Sequence, residues 1–227
     1  MATQSPKEKA EYLVSSLEQH GQGDYIGESI SQLEHCLQAA HNAQKSGARN
    51  ELIIAALLHD IGQIIPLEST KEVRMNLNNS AENVGRVGHE RIGSEFLRSL
   101  GFNPSVCQLV ESHVAAKRYP IPKLPPPPLL HTLFSRVVVR ASLYLTAVNN
   151  SYYDSLSSAS KKSLEFQGGP FKGAELSAFD QDPLRDEMVA LRLWDDAAKV
   201  PGIEDSTPRA REYLSLITAH LEDQVVA

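Results

Sequence analysis

An all-α fold is what this sequence predicts, and three observations carry it. Apolar residues recur at helical spacing in one stretch after another, each bounded by a capping residue, a proline or a glycine. One stretch, Leu52 to Leu58, is apolar on every side and reads as a helix buried all round. No convincing series of strands appears anywhere. With 227 residues, 41% hydrophobic content and no break in composition, the chain predicts a single domain over residues 1–227.

Each element has its own signal. Ser5-Pro6 is an N-cap followed by a proline in the first helical turn, and Leu13, Val14 and Leu17 give that helix its apolar stripe up to His20-Gly21. Gly21 to Gly27 is glycine-rich without the spacing of a phosphate loop, so it reads as a flexible loop carrying Tyr25 and Glu28. A helix from about Ser29 to Lys45 buries Ile30, Leu33 and Leu37 and stops at Gly47. Asn50 is the expected N-cap of the central helix, with Glu51 favoured by its dipole and Gly62 turning the chain away at its end. Pro66 to Gly88 is polar and aperiodic, a long loop of the kind that often serves as a lid. Gly88 introduces a helix with Ile92, Phe96 and Leu97 on one face, closed by Gly101. Asn103-Pro104 starts another, on which Val106, Leu109, Val110 and His113 share a face.

Pro120 to Tyr144 is different in kind. Six prolines, Pro120, Pro122 and Pro125 to Pro128, favour an extended polyproline segment. The apolar piece from Leu133 to Leu145 fits a strand or a helix equally well. From Ser155 to Pro170 the chain is rich in Ser and Gly. Asp182-Pro183 then caps a helix bearing Leu184, Met188, Leu191, Trp194 and Asp195, and a last helix starts near Ser206 and carries Tyr213, Leu214, Ile217 and Leu221.

A net charge of −6 argues against a broad nucleic-acid or membrane surface, since both need clustered Lys and Arg. It leaves room for a local basic pocket that takes a small anion. Cys36 and Cys107 have no zinc-type spacing and read as buried free thiols, and with no apolar leader or bilayer-length run the expected location is the cytoplasm.

Six residues carry the chemistry: His35, His59, Asp60, His89, His113 and Asp195. Each lies on or beside an apolar helix face. Asp195 falls inside the stripe that must face the core, and a buried carboxylate needs a cation. Taken singly, a hydrogen-bonded core histidine is the commoner explanation; six together are not explained that way. Six N and O donors without a thiolate suit one or two divalent metals of the iron, manganese or zinc kind, held between facing helices. His20, His41, His131 and His220 are read as surface residues or as supports behind the ligands.

The order His, His-Asp, His, His, Asp resembles the HD-domain superfamily in its dinuclear form. Further motifs resemble its mixed-valent diiron oxygenase branch, the PhnZ/TmpB-like enzymes that cleave the carbon–phosphorus bond of 1-hydroxy-phosphonates. They are Tyr25-Ile-Gly-Glu28, Ala116-Lys117-Arg118-Tyr119, Leu156-Ser-Ser-Ala-Ser160, Leu164-Glu-Phe-Gln167-Gly-Gly-Pro170 and Leu191-Arg192-Leu-Trp-Asp195. The likeness covers nearly the whole chain except 120–144, which interrupts the family's usual continuation and reads as an insertion. It implies a helical bundle around two irons, with Asp60 bridging, His35, His59 and Asp195 on one and His89 and His113 on the other. The implied partners are O2 and a small anionic substrate, with phosphate and a carboxylic acid as products; no partner macromolecule is implied.

Around that centre the resemblance implies substrate contacts from Lys117, Arg192, Gln63, Ser157 and Gln167, and a cover of the open iron position by Tyr25 and Glu28. Lys117 is one turn past His113 and Arg192 one turn before Asp195, so both cations are expected to lean toward the metals. Gln63 stands where an aminoethylphosphonate enzyme of the family has histidine, which puts the substrate's second substituent in question. Two other readings use the same residues: a metal-dependent phosphohydrolase, and a non-catalytic domain that binds a phosphate metabolite.

Overall fold

The protein is described by a computed structural model that covers residues 4–25, 28–66, 74–76, 83–118, 161 and 171–226. Its helices are α1 (Pro6–His20), α2 (Gln32–Lys45), α3 (Asn50–Leu58), the short α4 (Ile61–Ile64), α5 (His89–Leu100), α6 (Pro104–Ala116), α7 (Gly173–Gln181), α8 (Arg185–Ala197) and α9 (Leu214–Val226). The fold is all-α as expected, with a single two-stranded ribbon among the described residues. That ribbon, β1 (Arg74–Asn76) antiparallel to β2 (Asn83–Arg86), lies within the stretch read as a long polar loop. Its strands are too short for an alternating pattern to register.

The central helix behaves as its composition demands. Leu52 to Leu58 are all buried, and α2, α6, α8 and α9 pack around α3. Each of its Leu and Ile side chains contributes roughly 1.5–3 kcal/mol of burial. Local signals explain the neighbours. Ser5 and Glu8 close a capping box on α1, the Ser31 hydroxyl accepts from Glu34 N at 3.1 Å to start α2, and Asn103 Oδ1 accepts from Val106 N at 2.9 Å to start α6.

Several expectations need correction. The N-cap of α3 is Arg49 rather than Asn50, and the Arg49 side chain pairs with Glu187 and Glu51 instead. Gly62 does not turn the chain away; it lies inside α4, and a Cβ there would fall 2.0 Å from the carbonyl oxygen of His89 and 2.8 Å from Gly93 N. The glycine is needed for close approach of α5. Asp182 does not cap α8 but accepts from Leu184 N just before it, and α7, ahead of it, carries too weak an apolar stripe to be read from the sequence. The last helix begins at Leu214, after short 3-10 turns at Glu204–Ser206 and Ala210–Tyr213. The loop bearing Tyr25 is fastened rather than free, because Tyr25 N donates to Ile30 O and Gln32 N to Gly23 O.

The proline-rich segment 120–144 lies outside the described residues. The chain leaves at Arg118 and is again beside it at Phe171, whose N–H donates to Arg118 O at 2.6 Å beneath a guanidinium–ring contact of 4.4 Å. Cys36 and Cys107 are buried free thiols. No helix among the described residues is long and apolar enough to cross a membrane.

Candidate metal centre

The six predicted ligands converge. His35 comes from the first turn of α2, His59 and Asp60 from the junction of α3 and α4, His89 from the start of α5, His113 from the last turn of α6 and Asp195 from the last turn of α8. Asp60 leaves helical conformation at φ −99°, ψ 14°, which is how two successive side chains reach one place. Gly88, at φ 71°, delivers the chain into α5 so that His89 is its first residue. All six are buried.

Backbone carbonyls fix the tautomer of the histidine rings. His35 Nδ1 is 2.8 Å from Ala198 O, His59 Nδ1 2.8 Å from Ala56 O, His89 Nδ1 3.0 Å from Arg86 O and His113 Nδ1 2.6 Å from Val110 O. A carbonyl can only accept, so each neutral ring carries its hydrogen on Nδ1 and turns a bare Nε2 inward. Those lone pairs then face each other, His35 to His59 at 3.0 Å and His89 to His113 at 3.2 Å. Two lone pairs at that distance repel unless a cation takes them both.

Asp60 joins the two pairs. Its Oδ1 is 3.2 Å from His89 Nε2 and 3.5 Å from His113 Nε2, and its Oδ2 is 3.9 Å from His35 Nε2 and 3.8 Å from His59 Nε2. One carboxylate oxygen thus serves each pair. Asp195 Oδ1, 3.2 Å from His35 Nε2, is buried and receives no hydrogen bond, as a ring with its hydrogen on Nδ1 requires. His35, His59 and Asp60 form one group with metal-ligand spacing, and Asp60, His89 and His113 form another.

Beside this geometry stand the relatives. The HD-domain family profile matches residues 33–144. Hydroxymethylphosphonate dioxygenase of Gimesia maris is 35% identical over 220 residues, covering 97% of this chain and 92% of the relative. The chain belongs to the HD-domain superfamily, in its organophosphonate-oxygenase branch. Within that branch it also resembles the glycine-betaine-forming [1-hydroxy-2-(trimethylamino)ethyl]phosphonate dioxygenase of Leisingera caerulea, 33% identical over 195 residues, 86% of this chain and 82% of that one. Protein L432 of Acanthamoeba polyphaga mimivirus is 32% identical over 191 residues, 83% of this chain and 71% of its own.

The electrostatics of the HD site suit cations. Burial pushes the His59 imidazole down to about 4, so the ring is neutral. Burial alone would raise the two carboxyls. For Asp195 the Arg192 guanidinium, foremost among its neighbours, more than offsets this and holds the carboxyl well below the usual range, so that group is ionised.

The other predicted residues take different places. Tyr25 stacks on the His35 ring, with centroids 3.8 Å apart and planes at 19°; burial, then the charges of Asp195 and Asp60, keep its phenol protonated. Glu28 N closes the same turn on Tyr25 O at 2.9 Å, and its Oε1 is buried with no hydrogen-bond partner among the described residues. Lys117 is buried at the end of α6, and burial lowers its ammonium to about 7. Arg192 is not simply a cation leaning toward the metals. Its NH1 donates to Asp195 Oδ2 at 2.7 Å, and its Nε and NH2 fork onto Asp196, so it holds a predicted ligand in place.

Gln63 accepts from Arg86 N at 2.8 Å, tying α4 to the ribbon. Ser157, Gln167 and His131 lie outside the described residues. His20 is exposed, His41 half-buried, and His220 is buried away from the cluster against Phe102, where it accepts from Asn103 N. Reading His220 as a surface or supporting residue therefore missed a core role.

Sequence reasoning also missed Arg86, whose guanidinium donates to the carbonyls of Gly62 and Ile65. Nothing in an aperiodic polar stretch marks it. Signals for two others exist in the sequence but were passed over: Asp196 is four residues past Arg192, and Gln38 is the one polar residue in the run from Cys36 to Ala40.

Proposed function

We propose that this HD-domain enzyme cleaves the carbon–phosphorus bond of a small 1-hydroxy-organophosphonate with O2, giving phosphate and a carboxylic acid. The observation that carries this reading is the Asp60 carboxylate with one oxygen on each of two inward-facing histidine pairs, in a chain aligned over nearly its full length with a hydroxymethylphosphonate dioxygenase. The donors fit two irons: His35, His59, Asp60 and Asp195 would hold one, and Asp60, His89 and His113 the other. When bound, the irons would supply reversible one-electron redox chemistry and Lewis acidity for oxidation at C1, with O2 as the net oxidant. The oxygen balance is that of a dioxygenase, with one atom of O2 entering the acid and the other entering phosphate.

The chain's own groups bind and orient. Lys117 supplies positive charge for the phosphonate in a desolvated place, where a charge-assisted hydrogen bond is strong. Arg192 fixes Asp195 and adds to the same positive field. Tyr25 and Glu28 cover the His35 face until substrate arrives, and Ser157 and Gln167 are assigned as neutral donors to the substrate. Gln63 stands where the family resemblance leads one to expect a histidine in an aminoethylphosphonate enzyme, and the substrate's second substituent is assigned to its neighbourhood.

Iron-loaded protein should release phosphate from hydroxymethylphosphonate, 2-amino-1-hydroxyethylphosphonate or its trimethylammonium counterpart, with one O2 consumed per phosphate. Release that continues under argon, with magnesium or manganese alone, would show a phosphohydrolase built on the same ligands. Tight phosphate binding with no turnover of any substrate would show a binding domain.

A further inference from the structure

We propose that Gln38 is a positioning residue for the metal centre, acting through the strap Ala198–Lys199–Val200 that orients His35. The proposal rests on the metal-centre reading above. Three of the four histidines take their Nδ1 acceptor from a carbonyl three residues earlier in the chain: Ala56 for His59, Arg86 for His89 and Val110 for His113. For those rings, orientation is a local product of the backbone that carries them. His35 is the exception. Its acceptor, Ala198 O, is 163 residues away, so its tautomer depends on where a strap beyond the end of α8 is held.

Gln38 holds that strap. Its Nε2 donates to Val200 O at 2.8 Å, and its Oε1 accepts from Val200 N at 3.0 Å. The amide thus satisfies both backbone groups of one residue, as a neighbouring strand would. Gln38 is 2% exposed, and a buried primary amide must find such partners. It lies three residues past His35 on α2, so the two share a helix face. One helix therefore carries both a ligand and the clamp on that ligand's hydrogen-bond acceptor.

The strap reaches further than His35. Lys199 Nζ is 3.8 Å from Asp196 Oδ1 and 5.8 Å from the centre of the Tyr25 ring. Asp196 is in turn gripped by Arg192, which bonds Asp195. Displacing the strap would disturb His35, its Tyr25 cover and the support of Asp195 together. The effect falls on one end of the centre, since His89 and His113 have no contact with the strap among the described interactions.

Gln38→Met keeps the volume and removes both hydrogen bonds. The control is Gln44→Met on the same helix, where Gln44 accepts from Tyr213 OH at 3.1 Å and, among the described residues, bonds none of the six predicted ligands. We expect Gln38→Met to bind the iron of the His35 end 10- to 100-fold more weakly, read as a fall from two tightly held irons per chain toward one, while Gln44→Met keeps both. Nitrogen-15 NMR should show His35 losing its fixed Nδ1–H tautomer in Gln38→Met while His59 and His113 keep theirs.

Wild-type iron affinity and an intact His35 tautomer in Gln38→Met, or equal iron loss in both variants, would overturn the proposal. Should Gln38→Met fail to fold, hydrogen exchange of Val200 N–H in the wild-type protein decides: slow exchange comparable to the core helices supports the clamp, and exchange at the rate of an open loop refutes it. Failure of wild-type protein to bind iron at all would instead refute the metal-centre reading.

Discussion

The two ends of the histidine cluster are built differently. At the His89–His113 end, both rings are aimed by carbonyls three residues back, and the carboxylate at that end is Asp60. At the His35–His59 end there is a second carboxylate, Asp195, with Arg192, Asp196 and Lys199 ranked behind it and the Tyr25 ring stacked in front. One end sets Asp60, from the α3–α4 junction, against α5 and α6, with both rings aimed by their own local backbone. The other is assembled from α2, α3, α8 and two loops, and exists only once the bundle has closed. The difference teaches where perturbations will act: changes to the bundle should reach the Asp195 end first, and changes to α4 and α5 the other.

The largest expected effect removes the contrast altogether. Asp60→Ala deletes the carboxylate that serves both pairs, and we expect both irons to be lost, with activity falling to background; elemental analysis of the purified variant checks it. Retention of either iron would show that Asp60 does not bridge.

Next come the single-end variants. His113→Ala and Asp195→Ala should each lose metal, but at unequal cost to the metal-free protein. Removing Asp195 takes from the buried Arg192 one of its two carboxylates and leaves it Asp196 alone, a loss of about 1.5–3 kcal/mol, whereas removing His113 breaks no ion pair of Arg192. Urea unfolding of the metal-free variants should place Asp195→Ala well below His113→Ala, and equal midpoints would deny Arg192 its supporting role.

Much of this was legible in the residues, and the reasons are physical. His113 as the fourth member of an apolar stripe, and Asp195 inside another, were visible because a helix has a fixed period and a polar group on a buried face needs an explanation. His59-Asp60 was visible because an apolar rod ended in charge. Their division into two pairs was not derivable from periodicity; it depends on how α2, α5 and α6 cross, and entered only through resemblance. Arg86, the ribbon and the strap were invisible because their bonds join distant backbone groups that carry no residue code. Gly62 was noticed for the wrong reason: its value is the missing Cβ against α5, not freedom to turn.

The close approach of α5 at Gly62 offers a sharper probe of the local end. Gly62→Ala would place a methyl group against backbone of His89 and Gly93, and backbone cannot swing aside as a side-chain tip can. The helix α5 must shift, at a cost of about 3 kcal/mol, carrying His89 with it. Thermal melts should show the loss, and metal analysis should show the His89–His113 iron weakened more than the other. A variant with unchanged stability would mean that α4 and α5 are not in close contact.

The smallest expected effect separates the two buried cations. Lys117 and Arg192 both lie near Asp195, and position alone suggests equivalent roles in holding an anion. Their partners differ: Arg192 spends its fork on Asp195 and Asp196, while Lys117 feels first its own burial and then the charge of Arg192. Arg192→Met should therefore lower stability and loosen the Asp195 end before it touches substrate. Lys117→Met keeps the apolar stem packed and removes a charge that is costly to bury, so the metal-free protein should be no less stable and both irons should stay. What it should lose is one charge-assisted hydrogen bond to the phosphonate, which raises KM about 10- to 100-fold with kcat changed far less. Steady-state kinetics beside iron analysis distinguish the cases: iron loss in Lys117→Met would place Lys117 among the supports of the metal, and an unchanged KM would remove it from the substrate site.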